Sequence, residues 1–221
     1  MIEQAAKGTH DRVKEIVERI NIKDGFKVLD APCGSGVMAA YLNNKGFSVS
    51  AIDIIPPDRD TLDKKIDILQ HDLNKPLPFE DETFDLCISV EGIEHLVRPT
   101  DFFNEYVRVL KRGGHMILTT PNTEALHSRF RYFNLGFPKY FEPKNEIERD
   151  AGHIHPIDRI FIERIRRKSG VKIEKITSNK LHGKKFPWPL LKNILTRRLP
   201  EMYRNEHLLY GDILVYHFIK E

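Results

Sequence analysis

Only 2 cysteines and 1 tryptophan occur among the 221 residues. Cys33 and Cys87 cannot form the disulfide framework of a small secreted scaffold. This far apart they make no zinc site unless histidines join them. Both sit in or beside apolar stretches and read as reduced, buried thiols, which points to a cytoplasmic protein. No apolar run approaches the ~20 residues of a membrane span. Met1-Ile2-Glu3-Gln4 has neither a basic n-region nor an apolar h-region, so no secretory signal and no transmembrane segment is expected. Charge of one sign is not in excess either: 35 Lys and Arg face 32 Asp and Glu, leaving +3. That balance does not mark a nucleic-acid protein by itself. Repeats and low-complexity tracts are absent. What is there, 40% hydrophobic and 30% charged, is the composition of a soluble globular protein, long enough for a single large α/β domain over 1–221.

The chain is organised around Val28-Leu29-Asp30-Ala31-Pro32-Cys33-Gly34-Ser35-Gly36. An apolar strand, 26–29, ends in an acid, a glycine turn follows, and a helix is predicted over 37–45. Gly34 and Gly36 let the backbone bend and lie against a ligand. The helix start offers unpaired N–H groups, and ligands of open α/β sheets bind at the carboxyl ends of strands. Gly34-x-Gly36-x-x-Ala39, with Asp53 downstream, fits the loose dinucleotide pattern. The competing ligand is S-adenosylmethionine, whose cationic amino acid end suits Asp30, an acid that would repel a pyrophosphate. A strand-turn-helix without ligand is the plain alternative.

Val13, Ile16, Val17 and Ile20 predict an amphipathic helix over about 4–20. Strands follow at 47–53, 66–70 and 84–90, with at most a short helix after Pro56-Pro57. Phe103, Tyr106, Val107 and Leu110 face one side of a further helix, stopped by Gly113-Gly114, and 115–119 is the fifth strand. A helix over 157–169 and strands over 171–177 and 211–219 complete the pattern. Alternating strands and helices predict a parallel sheet covered on both faces. Asp30, Asp53, Asp72 and Glu91 then close successive strand ends along one edge.

On these motifs, over about 25–120, the sequence resembles class I S-adenosylmethionine-dependent methyltransferases, whose first motif reads roughly acid-x-G-x-G-x-G. Pro32 stands at the first glycine position, a departure from that pattern. The resemblance implies a Rossmann-like, mostly parallel seven-stranded sheet with an antiparallel last strand and helices on both faces. It implies that Asp30, Ala31, Pro32, Gly34 and Gly36 hold the amino acid end of the cofactor. Asp53 and Ile54 would meet the ribose, Asp72 and Leu73 the adenine, and Glu91 would lie where the fourth strand opens toward the methyl group. For each acid the alternative is a solvated loop carboxylate or a helix cap.

Glu91-Gly92-Ile93-Glu94-His95 is the sharpest cluster. With a helix starting near Glu91, positions i, i+3 and i+4 share a face. The E-x-x-E-H string is similar to ubiquinone-pathway O-methyltransferases and to small-RNA 3′-terminal 2′-O-methyltransferases, in which a further histidine completes a metal site. Glu91, Glu94 and His95, with His155 or His153 from Gly152-His153-Ile154-His155-Pro156, are thus candidate ligands for Mg²⁺ or Mn²⁺. A bound ion would orient a diol and acidify the attacked hydroxyl. Equally, His95, with Glu94, would act without metal as base or positioning group, or only hydrogen-bond its neighbours.

The aromatic, basic stretch 121–157 is expected to form a lid over the substrate, or a helix pair with its own small core. The insertion 180–210 carries Lys184-Lys185-Phe186-Pro187-Trp188, which reads either as a capping element or as a peripheral membrane contact. The expected function is methyl transfer, most simply to an oxygen of a small molecule, glycan or lipid-linked intermediate, leaving S-adenosylhomocysteine. The terminal ribose of an RNA is an alternative acceptor. The rivals are an NAD(P)-dependent oxidoreductase and a non-catalytic methyltransferase-like binding module.

Overall fold

The computed structural model describes residues 5–21, 25–142, 152–181 and 205–221. Its strands are β1 (Lys27–Asp30), β2 (Ser48–Asp53), β3 (Asp67–Gln70), β4 (Phe84–Ser89), β5 (Leu110–Pro121), β6 (Val171–Ser178) and β7 (Ile213–Lys220). They form one 7-stranded sheet in the order β3-β2-β1-β4-β5-β7-β6. β1 to β5 pair in parallel, and β7 runs antiparallel to both β5 and β6. This is the expected mostly parallel sheet with an antiparallel last strand.

Successive strand residues point to opposite faces, and here both faces are apolar. Leu29, Cys87, Met116, Leu118, Leu214 and Tyr216 join one buried cluster. Val28, Leu86, Ile88, Ile117 and Val215 join the other. Helices α3 (Pro99–Val109) and α5 (Arg159–Ser169) cover the first face with Phe103, Tyr106 and Ile162. Helices α1 (Thr9–Val17) and α2 (Val37–Asn44) cover the second with Val13, Ile16, Met38 and Leu42. Each large apolar side chain removed from water in this way contributes about 1.5–3 kcal/mol.

Several local expectations need correction. The first helix is shorter than 4–20, because Gly8 adopts a left-handed φ of 83° at its start. The helix expected to run to Gly113 ends at Val109: Leu110 is already extended, and β5 begins there. No α-helix starts at Glu91. That residue has a φ of 48°, and a 3₁₀ turn spans Ile93–His95. The stretch 121–157, expected as a lid or a helix pair, contains α4 (Leu126–Leu135), and its residues 143–151 lie outside the described ones. α5, expected from its spacing to turn Phe161 and Ile165 inward, buries Ile162 with Ile165 and leaves Phe161 partly buried. Within 180–210, a short helix α6 spans Glu206–Tyr210. The basic-aromatic segment Lys184–Lys192, read either as a capping element or as a membrane contact, lies outside the described residues. Among them no helix is long and apolar enough to cross a membrane. Cys33 and Cys87 are buried free thiols, as expected.

Candidate functional site

The strand order reverses between β1 and β4, and the crevice at such a switch point is where open α/β sheets take ligands. A cavity of about 510 Å³ opens there. Asp30, Pro32, Gly34, Asp53, Ile54, Asp72, Leu73, Glu91 and His95 line it, so most of the residues singled out in the sequence meet in one place. Ala31 and Gly36 do not line it. Ala31 is fully buried and its carbonyl accepts the Tyr106 hydroxyl. Gly36 starts α2 with a φ of 81°, and a Cβ there would stand 2.7 Å from Leu62 Cδ1. Its missing side chain makes room for Leu62 rather than for a ligand.

Asp30 closes β1 with 1% of its surface exposed, and its Oδ2 is buried without a hydrogen-bond partner. Burial pushes this carboxyl up to about 8; the Ala39 N–H opposes the shift and the Asp53 carboxylate adds to it. An unpartnered buried acid costs stability until something cationic or donating reaches it. Asp53 holds the turn, accepting from Gly34 N–H at 2.8 Å and from Ile55 N–H at 3.0 Å. Asp72 accepts from the backbone and side-chain amides of Asn74, which lower its pKa. Asn74 Oδ1 in turn accepts from Val97 N–H at 2.8 Å, tying the loop after β3 to the loop after β4.

The cluster after β4 differs from its expected form. Glu91 turns toward the N-terminal segment, where its Oε1 accepts from Ala6 N–H at 2.9 Å and from Thr9 Oγ1–H at 3.0 Å. The left-handed φ at Glu91 takes it off the face that a helix would have shared with Glu94 and His95. Glu94 is fully buried, and neither of its carboxylate oxygens makes a hydrogen bond of good geometry. Burial drives its carboxyl to about 8, Glu91 adds to the shift, and its own backbone amide and the Thr120 hydroxyl oppose it.

The Glu94 carbonyl accepts from Ile154 N–H at 2.8 Å and His155 N–H at 3.0 Å, which draws the Gly152–Pro156 segment over the turn. His153, not His155, is thereby brought in. Its Nε2 lies 4.0 Å from Glu94 Oε1 and its ring centroid 4.6 Å from that of His95. Glu94, His95 and His153 each offer a ligand atom within 4.8 Å of the others. Among the described residues, Glu91 and His155 are not part of that group. One carboxylate and two imidazoles suit a divalent ion that prefers oxygen and nitrogen.

The sequence pattern missed Ala5 and His10, which line the cavity from the N-terminal segment. The hydrogen bonds of Glu91 to Ala6 and Thr9, with that of Asn179 Nδ2 to the Lys7 carbonyl, hold that segment there, and no local motif encodes them.

Residues 29–118 match the family described as methyltransferase domain. This stretch, less than half of the chain, is similar to that domain. It spans β1 to β5 and carries Asp30, Asp53, Asp72, Glu91, Glu94 and His95. The ubiquinone biosynthesis O-methyltransferase of Rickettsia typhi is 32% identical over 124 residues, covering 51% of this chain and 50% of that protein. The 18S rRNA (guanine-N(7))-methyltransferase of Bos taurus is 33% identical over 105 residues, covering 41% of this chain and 37% of that protein. The chain thus spans about half or less of the length of these relatives. A crystal structure of an S-adenosylmethionine-dependent methyltransferase from Archaeoglobus fulgidus superposes with a TM-score of 0.63 at 17% identity, covering 96% of this chain and 92% of that one. That likeness of fold takes in β6 and β7, which lie beyond the matched residues.

Proposed function

We propose that this chain transfers the methyl group of S-adenosylmethionine to an oxygen of a small-molecule, glycan or lipid-linked acceptor. The observation that carries the reading is the buried Asp30 carboxyl, whose Oδ2 has no hydrogen-bond partner, in the cavity reached also by His95 and His153. A ligand with a cationic amino acid end satisfies that carboxyl, whereas an anionic pyrophosphate does not. Asp30 and the Gly34 turn would hold that end, Asp53 and Ile54 the ribose, and Asp72 and Leu73 the adenine. Ala31 and Gly36 shape the turn from behind. The bound cofactor supplies a methyl group already activated on a sulfonium, so the protein contributes mainly position and a place for the leaving proton.

Glu94, His95 and His153 are the groups proposed to receive the acceptor hydroxyl. They fit Mg²⁺ or Mn²⁺ through an oxygen and two nitrogens, and such an ion would lower the hydroxyl pKa. Without an ion, His95 or His153 takes the proton and Glu94 steadies the charged ring. The segment between β5 and α5 is proposed to cover the acceptor.

A terminal RNA ribose is the second reading, kept because one relative is named for an rRNA substrate. The antiparallel β7 and the domain match weigh against a dinucleotide-dependent oxidoreductase. The first test compares melting with saturating S-adenosylhomocysteine and with NADH. A ligand at ~100 times its dissociation constant adds ~2.7 kcal/mol, which at this size raises the melting point by roughly 5–10 °C. A rise with S-adenosylhomocysteine alone supports the reading. A rise with NADH alone overturns it, and no rise with either leaves the non-catalytic binding module.

A further inference from the structure

Asp212 sits just before β7, outside the cofactor cavity, and is 1% exposed. Among the described residues, four side chains converge on its carboxylate. Lys139 Nζ lies at 2.6 Å, Lys180 Nζ at 3.0 Å and His127 Nε2 at 3.5 Å. The Tyr140 hydroxyl donates to Oδ2 at 2.7 Å. Burial alone would raise this carboxyl, but His127, Lys139, Tyr140 and Lys180 together hold it well below the usual carboxylate range. A buried carboxylate with several charge-assisted partners is a firm anchor, because removing one side leaves the other charge stranded.

Tyr140 is the residue this anchor constrains. Its φ of 72° is left-handed, rare for a bulky side chain. Such a conformation persists only when its surroundings over-determine it. Here the hydroxyl is fixed on Asp212, and the carbonyl lies 2.7 Å from His153 Nδ1. A carbonyl can only accept, so Nδ1 carries the hydrogen. The other ring nitrogen is the one that faces Glu94 Oε1 at 4.0 Å. Phe141 and His95 flank the ring at 5.1 and 4.6 Å between centroids.

We propose that Asp212 is a positioning residue that acts through Tyr140 to fix His153 as its Nδ1–H tautomer, with Nε2 turned toward Glu94 and His95. The role rests on the proposed function in one respect, that this cluster is where the acceptor hydroxyl is received. Which nitrogen of a histidine is available is set by the hydrogen bond made by the other, and partners of this kind tune both metal ligands and bases.

The test uses ligand-free full chain labelled with ¹⁵N-histidine, at a pH where the imidazoles are neutral, and reads the tautomer from two-bond nitrogen–proton correlations. His153→Gln identifies the signals. Wild-type protein is expected to show protonated Nδ1 and bare Nε2 at His153. Tyr140→Phe deletes one hydroxyl and leaves the carbonyl, and Asp212→Asn removes the charge. Each is expected to shift the tautomer ratio about tenfold toward Nε2–H. Protonated Nε2 in the wild type, or an unchanged signature in Tyr140→Phe, overturns the proposal, and Tyr140→Phe decides alone if Asp212→Asn does not fold. S-adenosylhomocysteine binding, measured in parallel, is expected to be the same in wild type and Tyr140→Phe. Failure of the wild type to bind it would overturn the proposed function, while the tautomer still decides the role of Asp212.

Discussion

The ring of Pro32 lies directly against Gly92, so that a Cβ on Gly92 would stand 2.6 Å from Pro32 Cγ and 3.1 Å from Ser89 Oγ. The departure at the first position of the glycine turn is thus matched by a glycine in the loop after β4. Gly92 has an ordinary φ of −122°, so crowding alone forbids a side chain there. Gly92→Ala is expected to cost about 1–3 kcal/mol, as overpacking does. That lowers the melting point by roughly 2–10 °C at this size. Affinity for S-adenosylhomocysteine should fall with it, because Pro32 and Gly92 both line the cavity. Thermal scans and calorimetric titration check this, and a variant with wild-type melting and affinity would show that the two loops move apart without cost.

With Asp30 at the amino acid end of the cofactor, as proposed, cofactor binding is expected to depend on pH. Its carboxyl is raised to about 8 in the ligand-free protein, mainly by burial. The sign is as follows. Between the ordinary carboxylate range and about pH 8 the folded state holds more protons than the unfolded state, so this group's contribution to stability falls as pH rises. A cationic ligand prefers the ionised acid, so binding at pH 7 releases a proton. S-adenosylhomocysteine should therefore bind more tightly at pH 8 than at pH 6. Titrations in buffers of different ionisation heat should show proton release, and Asp30→Asn should abolish it while weakening binding. A pH-independent affinity in the wild type would sink the assignment of Asp30 to the amino acid end.

The sheet was legible because Val28-Leu29 and Ile117-Leu118 bury consecutive residues on opposite faces, and only a sheet covered on both sides asks for that. The acids at Asp30, Asp53 and Asp72 were legible because each ends or closely follows an apolar strand. Gly36 stands outside the cavity lining, and a glycine that avoids Leu62 looks the same in sequence as one that admits a ligand. The cluster after β4 was half legible. Spacing puts Glu91, Glu94 and His95 on one face only if the chain is helical, and the left-handed Glu91 with its 3₁₀ turn breaks that premise. His153 was chosen over His155 by two amides converging on the Glu94 carbonyl, a long-range bond that spacing does not encode.

Glu94 separates a structural acid from a ligand. Its buried carboxyl is raised to about 8, mainly by burial, and neither oxygen makes a hydrogen bond of good geometry. Glutamine is a neutral group of the same shape, so Glu94→Gln should leave the melting point of the metal-free protein unchanged or higher. Addition of MnCl₂ should raise the melting point of the wild type and not that of the variant. An equal rise in both would place the ion elsewhere. A metal-free variant that melts well below wild type would show that the carboxylate is needed for packing.

The pair His115–His217 sets a second, opposite pH response far from the cofactor cavity. Their Nδ1 and Nε2 atoms lie 3.0 Å apart on one face of β5 and β7. Burial first, then the neighbouring His115 and Lys175, push His217 down to about 4, with Glu174 opposing. Burial also lowers His115. Here the unfolded state takes up protons first, so the stability contributed is full above the ordinary histidine pKa. It is lost progressively as pH falls from about 6.5 toward 4. His217→Gln removes the titrating ring and should flatten the melting curve across that window, so that wild type and variant differ less at pH 5 than at pH 7. His217 is 9% exposed, so the variant is expected to melt lower than wild type at pH 7. Parallel melting profiles for the two proteins from pH 4 to 7 would show that the pair shares its proton without strain, and that acid sensitivity in this window arises elsewhere.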